Sequence, residues 1–90
     1  MLFEWDDGNR QKVARRIPIE VVEASFRRPV KLWKDLIHSL DEERQILITT
    51  DATGRYLWVC FTLRGLVVRV ISARYMHKKE WSRYVEVKKT

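Results

Sequence analysis

The fold is decided by residues 53–74, which read Thr-Gly-Arg-Tyr-Leu-Trp-Val-Cys-Phe-Thr-Leu-Arg-Gly-Leu-Val-Val-Arg-Val-Ile-Ser-Ala-Arg. Two runs rich in β-branched and aromatic residues flank Arg64-Gly65, and this pattern predicts a β-hairpin with Arg64-Gly65 as its two-residue turn. The predicted cross-strand pairs on one face are Leu63/Leu66, Phe61/Val68, Val59/Val70 and Leu57/Ser72. Because all of these residues except Ser72 are apolar, this face is predicted to lie against the core.

The opposite face of the predicted hairpin, called the mixed face below, combines polar, charged and aromatic residues. Its pairs are Thr62/Val67, Cys60/Arg69, Trp58/Ile71 and Tyr56/Ala73. We therefore expect this face to be covered either by a helix or by a ligand that binds arginine and aromatic rings.

Length and composition indicate one small globular domain. The chain has 90 residues, of which 46% are hydrophobic, an ordinary fraction for a folded protein. Its apolar runs are far shorter than the roughly 20 residues that span a bilayer, and the first residues lack the basic and apolar regions of a signal peptide. The single cysteine, Cys60, allows neither an internal disulfide nor a cysteine metal cluster. We expect a cytoplasmic protein without a membrane partner.

The net charge of +6 is unevenly distributed along the chain. Residues 1–54 hold nine Lys/Arg and ten Asp/Glu, whereas residues 55–90 hold nine Lys/Arg and two Asp/Glu. A basic half of this kind favours a polyanionic partner, most simply a nucleic acid, although a solvated basic surface gives the same count.

The segments around the hairpin predict three helices and further strands. The predicted elements are an extended segment at Phe3–Trp5, helices over about Gly8–Arg16 and Pro18–Phe26, strands at Val30–Lys34 and Arg44–Thr50, an irregular connection over Asp35–Glu43 and a terminal helix over Met76–Glu86. Asp6 or Asp7 is the predicted N-cap of the first helix. The order β-α-α-β-β-β-β-α predicts an α+β fold in a single domain over residues 1–90. We expect a small antiparallel sheet of four to five strands, two N-terminal helices and one C-terminal helix.

Arginines are the main candidates for chemistry. His38 and His77 lack companions at metal-ligand spacing, so we expect no metal or other cofactor. Arg64 lies at the predicted hairpin tip, Arg69 within the mixed face and Arg74 at the end of the strand, and guanidinium groups match phosphate oxygens well. Strict alternation places Arg69 and Arg74 on opposite faces, and they converge only if the strand ends or bulges near Ser72.

The chain also resembles a known family. The similar segments are Phe3-Glu4-Trp5-Asp6-Asp7-Gly8-Asn9 with Lys12, Glu20 to Phe26, Glu43-Arg44, Gly54-Arg55-Tyr56-Leu57 and, above all, Arg69-Val70-Ile71-Ser72-Ala73-Arg74 with Glu80 and Tyr84. In this order and spacing they resemble the BrnT family of bacterial toxins, from about residue 2 to residue 86. The resemblance implies a RelE-like fold and a ribonuclease toxin of a type II toxin–antitoxin pair. It also implies an RNA substrate and a cognate antitoxin, which carries the DNA-binding segment, so that no direct DNA binding by this chain is expected.

The chain departs from the family between its first two helices. Many members carry Lys-His-Gly or Arg-His-Gly there, and this chain has Arg15-Arg16-Ile17. The departure removes one possible acid–base group. It leaves open a second hypothesis, in which the chain is a catalytically inactive relative that only binds an antitoxin or RNA.

The favoured hypothesis is metal-independent cleavage of RNA by its own 2′-hydroxyl. Arg69 and Arg74 are the predicted phosphate stabilisers, with Arg64 at the rim. His77 and Glu43 are the candidate proton carriers, with Tyr84 behind them, and the sequence does not choose between them. Further candidates for RNA binding are Arg55, Lys78 and Lys79.

Overall fold

A computed structural model of the chain describes residues 1–38 and 42–85, which form a sheet with helices packed on it. The elements are β1 (Leu2–Phe3), α1 (Asp7–Ala14), α2 (Ile19–Ser25), β2 (Pro29–Asp35), β3 (Arg44–Thr50), β4 (Tyr56–Arg64), β5 (Val67–Tyr75) and α3 (Lys78–Trp81). None of the helices in these two ranges is long and apolar enough to cross a membrane.

The strands form one mostly antiparallel sheet of five strands in the order β1-β5-β4-β3-β2. The β2–β3, β3–β4 and β4–β5 pairs are antiparallel, and the short β1 lies parallel to β5 at one edge. The predicted α+β class is confirmed, as are the two N-terminal helices and a C-terminal helix.

The hairpin turn lies one residue later than predicted. Its two central residues are Gly65 and Leu66, and Arg64 pairs with Val67. Gly65 has a φ of +63°, and a two-residue turn with a positive φ at its first central position needs glycine at that position. The assignment of Arg64-Gly65 as the turn is therefore wrong. Moving the turn by one residue moves each cross-strand partner by two, so the predicted pairs are wrong although Phe61, Val68 and Val70 stay on the core face. The predicted core pair Leu63/Leu66 is also wrong, because Leu63 is 49% exposed and Leu66, in the turn, is 90% exposed.

A β-bulge in β5 changes the faces in the second half of the hairpin. Phe61 pairs with Val70, whereas the adjacent Cys60 pairs with Ser72, so Ile71 is an extra residue in β5. The moved turn and the bulge together make the predicted pairs Leu57/Ser72 and Tyr56/Ala73 wrong: Leu57 pairs with Tyr75, and Ala73 pairs with Val59 in the core.

The core lies between one face of the sheet and the first two helices. The predicted cluster of Val59, Phe61, Val68 and Val70 is confirmed, since all four are at most 5% exposed. Val22 of α2 belongs to the same cluster, and the Phe26 ring meets the Phe61 ring edge-on with centroids 5.3 Å apart. These contacts show that α2 closes the core over the hairpin.

The start of α1 is fixed by a capping box. The Asp6 carboxylate accepts hydrogen bonds from the backbone N–H groups of Gly8 and Asn9, and the Asn9 side chain accepts one from the Asp6 N–H. The Asn9 amide also donates to the carbonyl oxygens of Glu4 and Val70, at 3.1 and 2.9 Å. One side chain thus joins the N-terminal segment, α1 and β5, and Asp6 is confirmed as the N-cap.

The last helix is shorter than predicted. Among the described residues α3 covers only Lys78–Trp81, followed by turns, and the predicted end at Glu86 lies outside the described residues. The Trp81 ring stacks on Tyr56 at 4.7 Å, and Tyr84 stacks on Trp33 at 5.3 Å. These aromatic pairs cover one end of the mixed face, as expected for a helix packed there.

Truncation of Phe61 tests the core. Phe61→Ala removes the aromatic side chain shared by the sheet and α2, and we expect it to lower the free energy of unfolding by about 3–5 kcal/mol. Urea unfolding followed by circular dichroism measures this change. Leu66→Ala is the matched control, because Leu66 is 90% exposed at the hairpin turn. A loss below about 1 kcal/mol for Phe61→Ala would contradict the packing described.

The turn between β3 and β4 predicts a pH dependence of stability. Burial alone would raise the pKa of Asp51, but hydrogen bonds from Thr53, Arg55 and Tyr75 outweigh this and hold the pKa below its ordinary value of 3.8. Because the folded state binds a proton here less readily than the unfolded chain, the stabilisation is complete above pH 3.8 and is lost as the pH falls further.

Asp51→Asn isolates this contribution because it keeps the side-chain shape and removes the charge. We expect the variant to be less stable than the wild type at pH 7, with the difference shrinking below pH 3.8. Thermal unfolding from pH 2 to 7 measures both curves, and a difference independent of pH would refute the assignment.

Candidate active site

The bulge at Ile71 brings Arg69 and Arg74 to one face of the sheet. Arg69 pairs with Thr62 and Arg74 pairs with Trp58, and these two β4 residues lie on the same face because they are an even number of positions apart. Arg69 and Arg74 were expected to share a face only if the strand bulged near Ser72, and the structure has that bulge. The two arginines remain separated by the length of four β4 residues, about 13 Å.

Arg64 and Arg69 share a cluster of carboxylates at the hairpin tip. Glu4 Oε1 lies 2.9 Å from Arg64 Nη1 and 3.1 Å from Arg69 Nη1. Arg64 also pairs with Glu42, Nη2 to Oε1, at 2.9 Å, and Arg69 pairs with Asp6, Nη1 to Oδ2, at 2.8 Å. The hydrogen bonds from Arg69 and Arg64 lower the pKa of Asp6 and of Glu42, respectively, so both acids are ionised at neutral pH. The cluster fixes the position of both guanidinium groups and compensates their charge.

Arg74 is held by one acid and one aromatic ring. Its Nη1 and Nη2 donate to the two carboxylate oxygens of Glu80, each at 2.6 Å, and its guanidinium carbon lies 5.0 Å from the centroid of the Trp58 ring. These hydrogen bonds lower the pKa of Glu80. The Arg74 side chain is 33% exposed, so a ligand on the mixed face can still reach it.

The predicted proton carriers lie at opposite ends of the hairpin. His77 is exposed at the N-cap of α3, three residues after Arg74. Glu43 is exposed just before β3; its carboxylate lies 3.5 Å from Lys34 Nζ, and its backbone oxygen accepts a hydrogen bond from the Thr62 hydroxyl. The structure therefore does not bring His77 and Glu43 together.

The predicted RNA-binding residues all lie at the end of β4 and β5 that is away from the hairpin tip. Arg55 is exposed in the turn before β4, at the end away from the hairpin tip, with its guanidinium 3.7 Å from the centroid of the Tyr75 ring. Lys78 and Lys79 are exposed in α3, close in the chain to Arg74.

A cleft of about 550 Å³ opens beside Arg64 and Arg69. Its lining residues are Gly8, Asn9, Lys12, Ile37, His38, Glu42, Arg44, Thr62, Arg64, Arg69 and Ile71. They come from α1, the connection after β2, and the β3–β4–β5 part of the sheet. A substrate in this cleft would meet basic groups from several elements together with one histidine.

His38 is the candidate that the sequence reasoning missed. Its Nδ1 lies 2.9 Å from Asp35 Oδ2, and its ring is exposed in the cleft. Burial tends to raise the pKa of Asp35, but hydrogen bonds from His38 outweigh it and the net shift is downward. An imidazole oriented by a carboxylate is a common acid–base arrangement. The sequence feature that could have indicated His38 is the spacing Asp35-x-x-His38 in a connecting segment, where functional residues are common.

Within the described ranges, no group of three or more His, Cys, Asp and Glu residues is arranged to hold a metal ion. The acids around Arg64 and Arg69 are instead occupied by guanidinium groups.

Comparison with known proteins identifies the family of the chain. A search of the curated proteins finds no match to the chain. The family model described as "Ribonuclease toxin, BrnT, of type II toxin-antitoxin system" matches residues 5–80, which include all the elements from α1 to β5 and most of α3. The chain therefore belongs to the BrnT family of ribonuclease toxins of type II toxin–antitoxin systems.

Proposed function

We propose that this chain is a metal-independent endoribonuclease of RelE-like fold, acting in the cytoplasm and neutralised by a cognate antitoxin. The observation that carries the proposal is the bulge at Ile71, which places Arg69 and Arg74 on one face of the sheet, with Arg69 lining an open cleft. Family membership supports an RNA substrate.

In the proposed reaction the ribose 2′-hydroxyl attacks the adjacent phosphorus, and the bond to the 5′-oxygen breaks. Arg69 and Arg74 stabilise the negative charge that grows on the phosphate oxygens, and Arg64 holds the strand at the rim. A base takes the 2′-hydroxyl proton and an acid protonates the leaving 5′-oxygen. Arginine stays protonated and is a poor base, so these two roles fall to other groups. His38, which lines the same cleft as Arg69, joins His77, Glu43 and Tyr84 as candidates.

The acids that bind the arginines have a definite role in this proposal. Without RNA, Glu4, Asp6, Glu42 and Glu80 hold the guanidinium groups in position. A phosphate that binds either replaces a carboxylate contact or uses a remaining N–H group of the same guanidinium, next to a carboxylate that repels it. Because this competition weakens each single contact, we expect tight binding only when several phosphates of one RNA strand bind at the same time.

The same ion pairs favour a second candidate, a catalytically inactive relative that binds an antitoxin or RNA. In such a relative the pairs of Arg64, Arg69 and Arg74 would be structural and would stay closed. The two candidates differ in whether removal of Arg74 affects cleavage beyond its effect on stability.

Two variants at the Arg74–Glu80 pair separate these roles. Arg74→Ala and Glu80→Gln both break the ion pair, and each should cost on the order of 1 kcal/mol of stability. Only Arg74→Ala removes the proposed phosphate contact, so it should slow RNA cleavage by about 10²–10³-fold, whereas Glu80→Gln should stay within about tenfold of the wild type. Cleavage of a labelled RNA in buffer with EDTA measures the rates and tests metal independence.

Arg83→Ala is the surface control, because Arg83 is exposed and has no ion pair among the described residues. It should leave cleavage and growth arrest unchanged. Full activity of Arg74→Ala, or equal losses in Arg74→Ala and Glu80→Gln, would remove Arg74 from the reaction.

The antitoxin is expected to be acidic or amphipathic and to cover Arg64, Arg69 or the last helix. Leu63 and Leu66, exposed at the same hairpin tip as Arg64, offer apolar contacts for such a segment. In this proposal the antitoxin, and not this chain, contacts DNA.

Isolation of the tagged chain from its native host should yield a stable complex with a small neighbouring gene product. Arg64→Ala should weaken that complex about tenfold, since arginine anchors often contribute more than 1 kcal/mol to an interface, and Arg27→Ala, at an exposed site after α2, should not. Recovery of free monomer alone would count against a toxin–antitoxin pair.

A further inference from the structure

One side of α1 carries a group of basic side chains that is separate from the hairpin arginines Arg64, Arg69 and Arg74. Asn9, Val13 and Ile17 are buried and mark the side of the helix that faces the sheet. At 100° per residue, Lys12, Arg15 and Arg16 lie on one flank of this buried line, and Arg10 lies on the other. The hydrogen bonds from the N–H groups of residues 15–17 to Gln11 and Val13 continue the helical turn through this segment.

This flank forms a second cleft of about 560 Å³ against the bulged part of β5. Its lining residues are Lys12, Arg15, Arg16, Ser72 and Ala73. Lys12 also lines the cleft beside Arg69, so the two clefts adjoin along α1. The bulge contributes Ser72 to the floor of the second cleft, directly after Ile71 in the first.

The charges in the second cleft are not compensated. No acid within residues 1–38 and 42–85 forms an ion pair with Lys12, Arg15 or Arg16, whereas Arg64, Arg69 and Arg74 each pair with one or two carboxylates. A phosphate can therefore bind here without displacing a carboxylate. Uncompensated lysine and arginine side chains in a groove are the usual source of sequence-independent affinity for nucleic acid.

We infer that Lys12, Arg15, Arg16 and Ser72 form a phosphate-binding subsite for the RNA strand, next to the cleft in which it is cleaved. The inference rests on the proposed ribonuclease function. Arg69 and Ser72 are three residues apart in β5, about 10 Å, a spacing that leaves room for a second phosphate of the same strand beside the reacting one. The subsite supplies binding to phosphates that do not react, and this binding holds the reacting phosphate against the arginines that are already paired.

The experiment uses the full chain and a single-stranded RNA pool of random sequence with 2′-O-methyl ribose, which cannot be cleaved through its 2′-hydroxyl. The double variant Arg15→Ala/Arg16→Ala removes two of the cations, and Arg10→Ala removes one cation from the opposite flank of the same helix. Affinity is measured from 50 to 300 mM salt. Each phosphate contact on a single strand contributes about 0.7 to the slope of log affinity against log salt.

We expect the double variant to bind at least tenfold more weakly at low salt and to lower the slope by about 1.4. Arg10→Ala should keep the wild-type affinity and slope, and Arg15→Lys/Arg16→Lys should restore most of both. All variants should keep the wild-type melting temperature, because these side chains are exposed and have no ion-pair partner among the described residues.

The possible negative results distinguish a failure of the subsite from a failure of the proposed ribonuclease function. If the wild type binds and cleaves RNA but the double variant keeps its slope, the subsite is overturned and the ribonuclease proposal stands. If the double variant loses affinity for the antitoxin and not for RNA, the cleft is a protein-binding site and the inference is overturned as well. If the wild type neither binds nor cleaves RNA, the proposed function fails and the subsite fails with it.

Discussion

The bulge at Ile71 is the constraint on which the rest of the site depends. Val68 and Val70 lie on the core face, and regular alternation beyond them would place Ser72 and Arg74 on that face as well. Arg74 would then lie among side chains such as Leu57 and Val59, which are fully buried. Burying a guanidinium without partners costs several kcal/mol, so the unbulged register is strongly disfavoured. One extra residue returns Arg74 to the open face and places the small Ala73 in the core.

The site arginines are positioned by segments that are distant in sequence. Glu4 and Asp6 come from the N-terminal segment, Glu42 from the connection before β3 and Glu80 from α3. Asn9 links the first of these segments to β5 through its bond to the Val70 oxygen. The guanidinium groups are consequently oriented before any ligand arrives, which is the condition for strong electrostatic stabilisation of a transition state. That orientation has a cost for binding, because each carboxylate competes with phosphate for the same donors.

Much of the fold could be predicted from local pattern, and the errors have identifiable physical causes. The β-branched and aromatic runs indicated the hairpin, and helical spacing placed Val22 and Phe26 over Phe61, as the structure confirms. The turn was misplaced because both Arg64-Gly65 and Gly65-Leu66 put glycine in the turn, and only the required φ sign distinguishes them. The bulge did leave a signal: the core positions Val68, Val70 and Ala73 are spaced two and then three residues apart.

The site was harder to predict, because its members meet only after folding. No short-range pattern links Arg69 to Asp6 or places His38 in the same cleft as Arg69, since this arrangement depends on the sheet order and on how the chain leaves β2. Arg74 and Glu80 are six residues apart, across the end of β5 and the start of α3, and the family resemblance named both without assigning the pair.

The charge distribution along the chain differs from the distribution on the folded surface. By sequence, residues 55–90 carry the excess of positive charge and residues 1–54 are balanced. Folding brings acids of the first part onto Arg64 and Arg69 of the second, and so reduces the excess at the hairpin tip. Because those acids pair with Arg64 and Arg69, they do not neutralise the basic residues of the first part. Lys12, Arg15 and Arg16 on the α1 flank therefore have no ion-pair partner among the described residues. The positive electrostatic field that attracts a polyanion therefore arises partly from residues 1–54, although their charges nearly cancel when counted along the sequence.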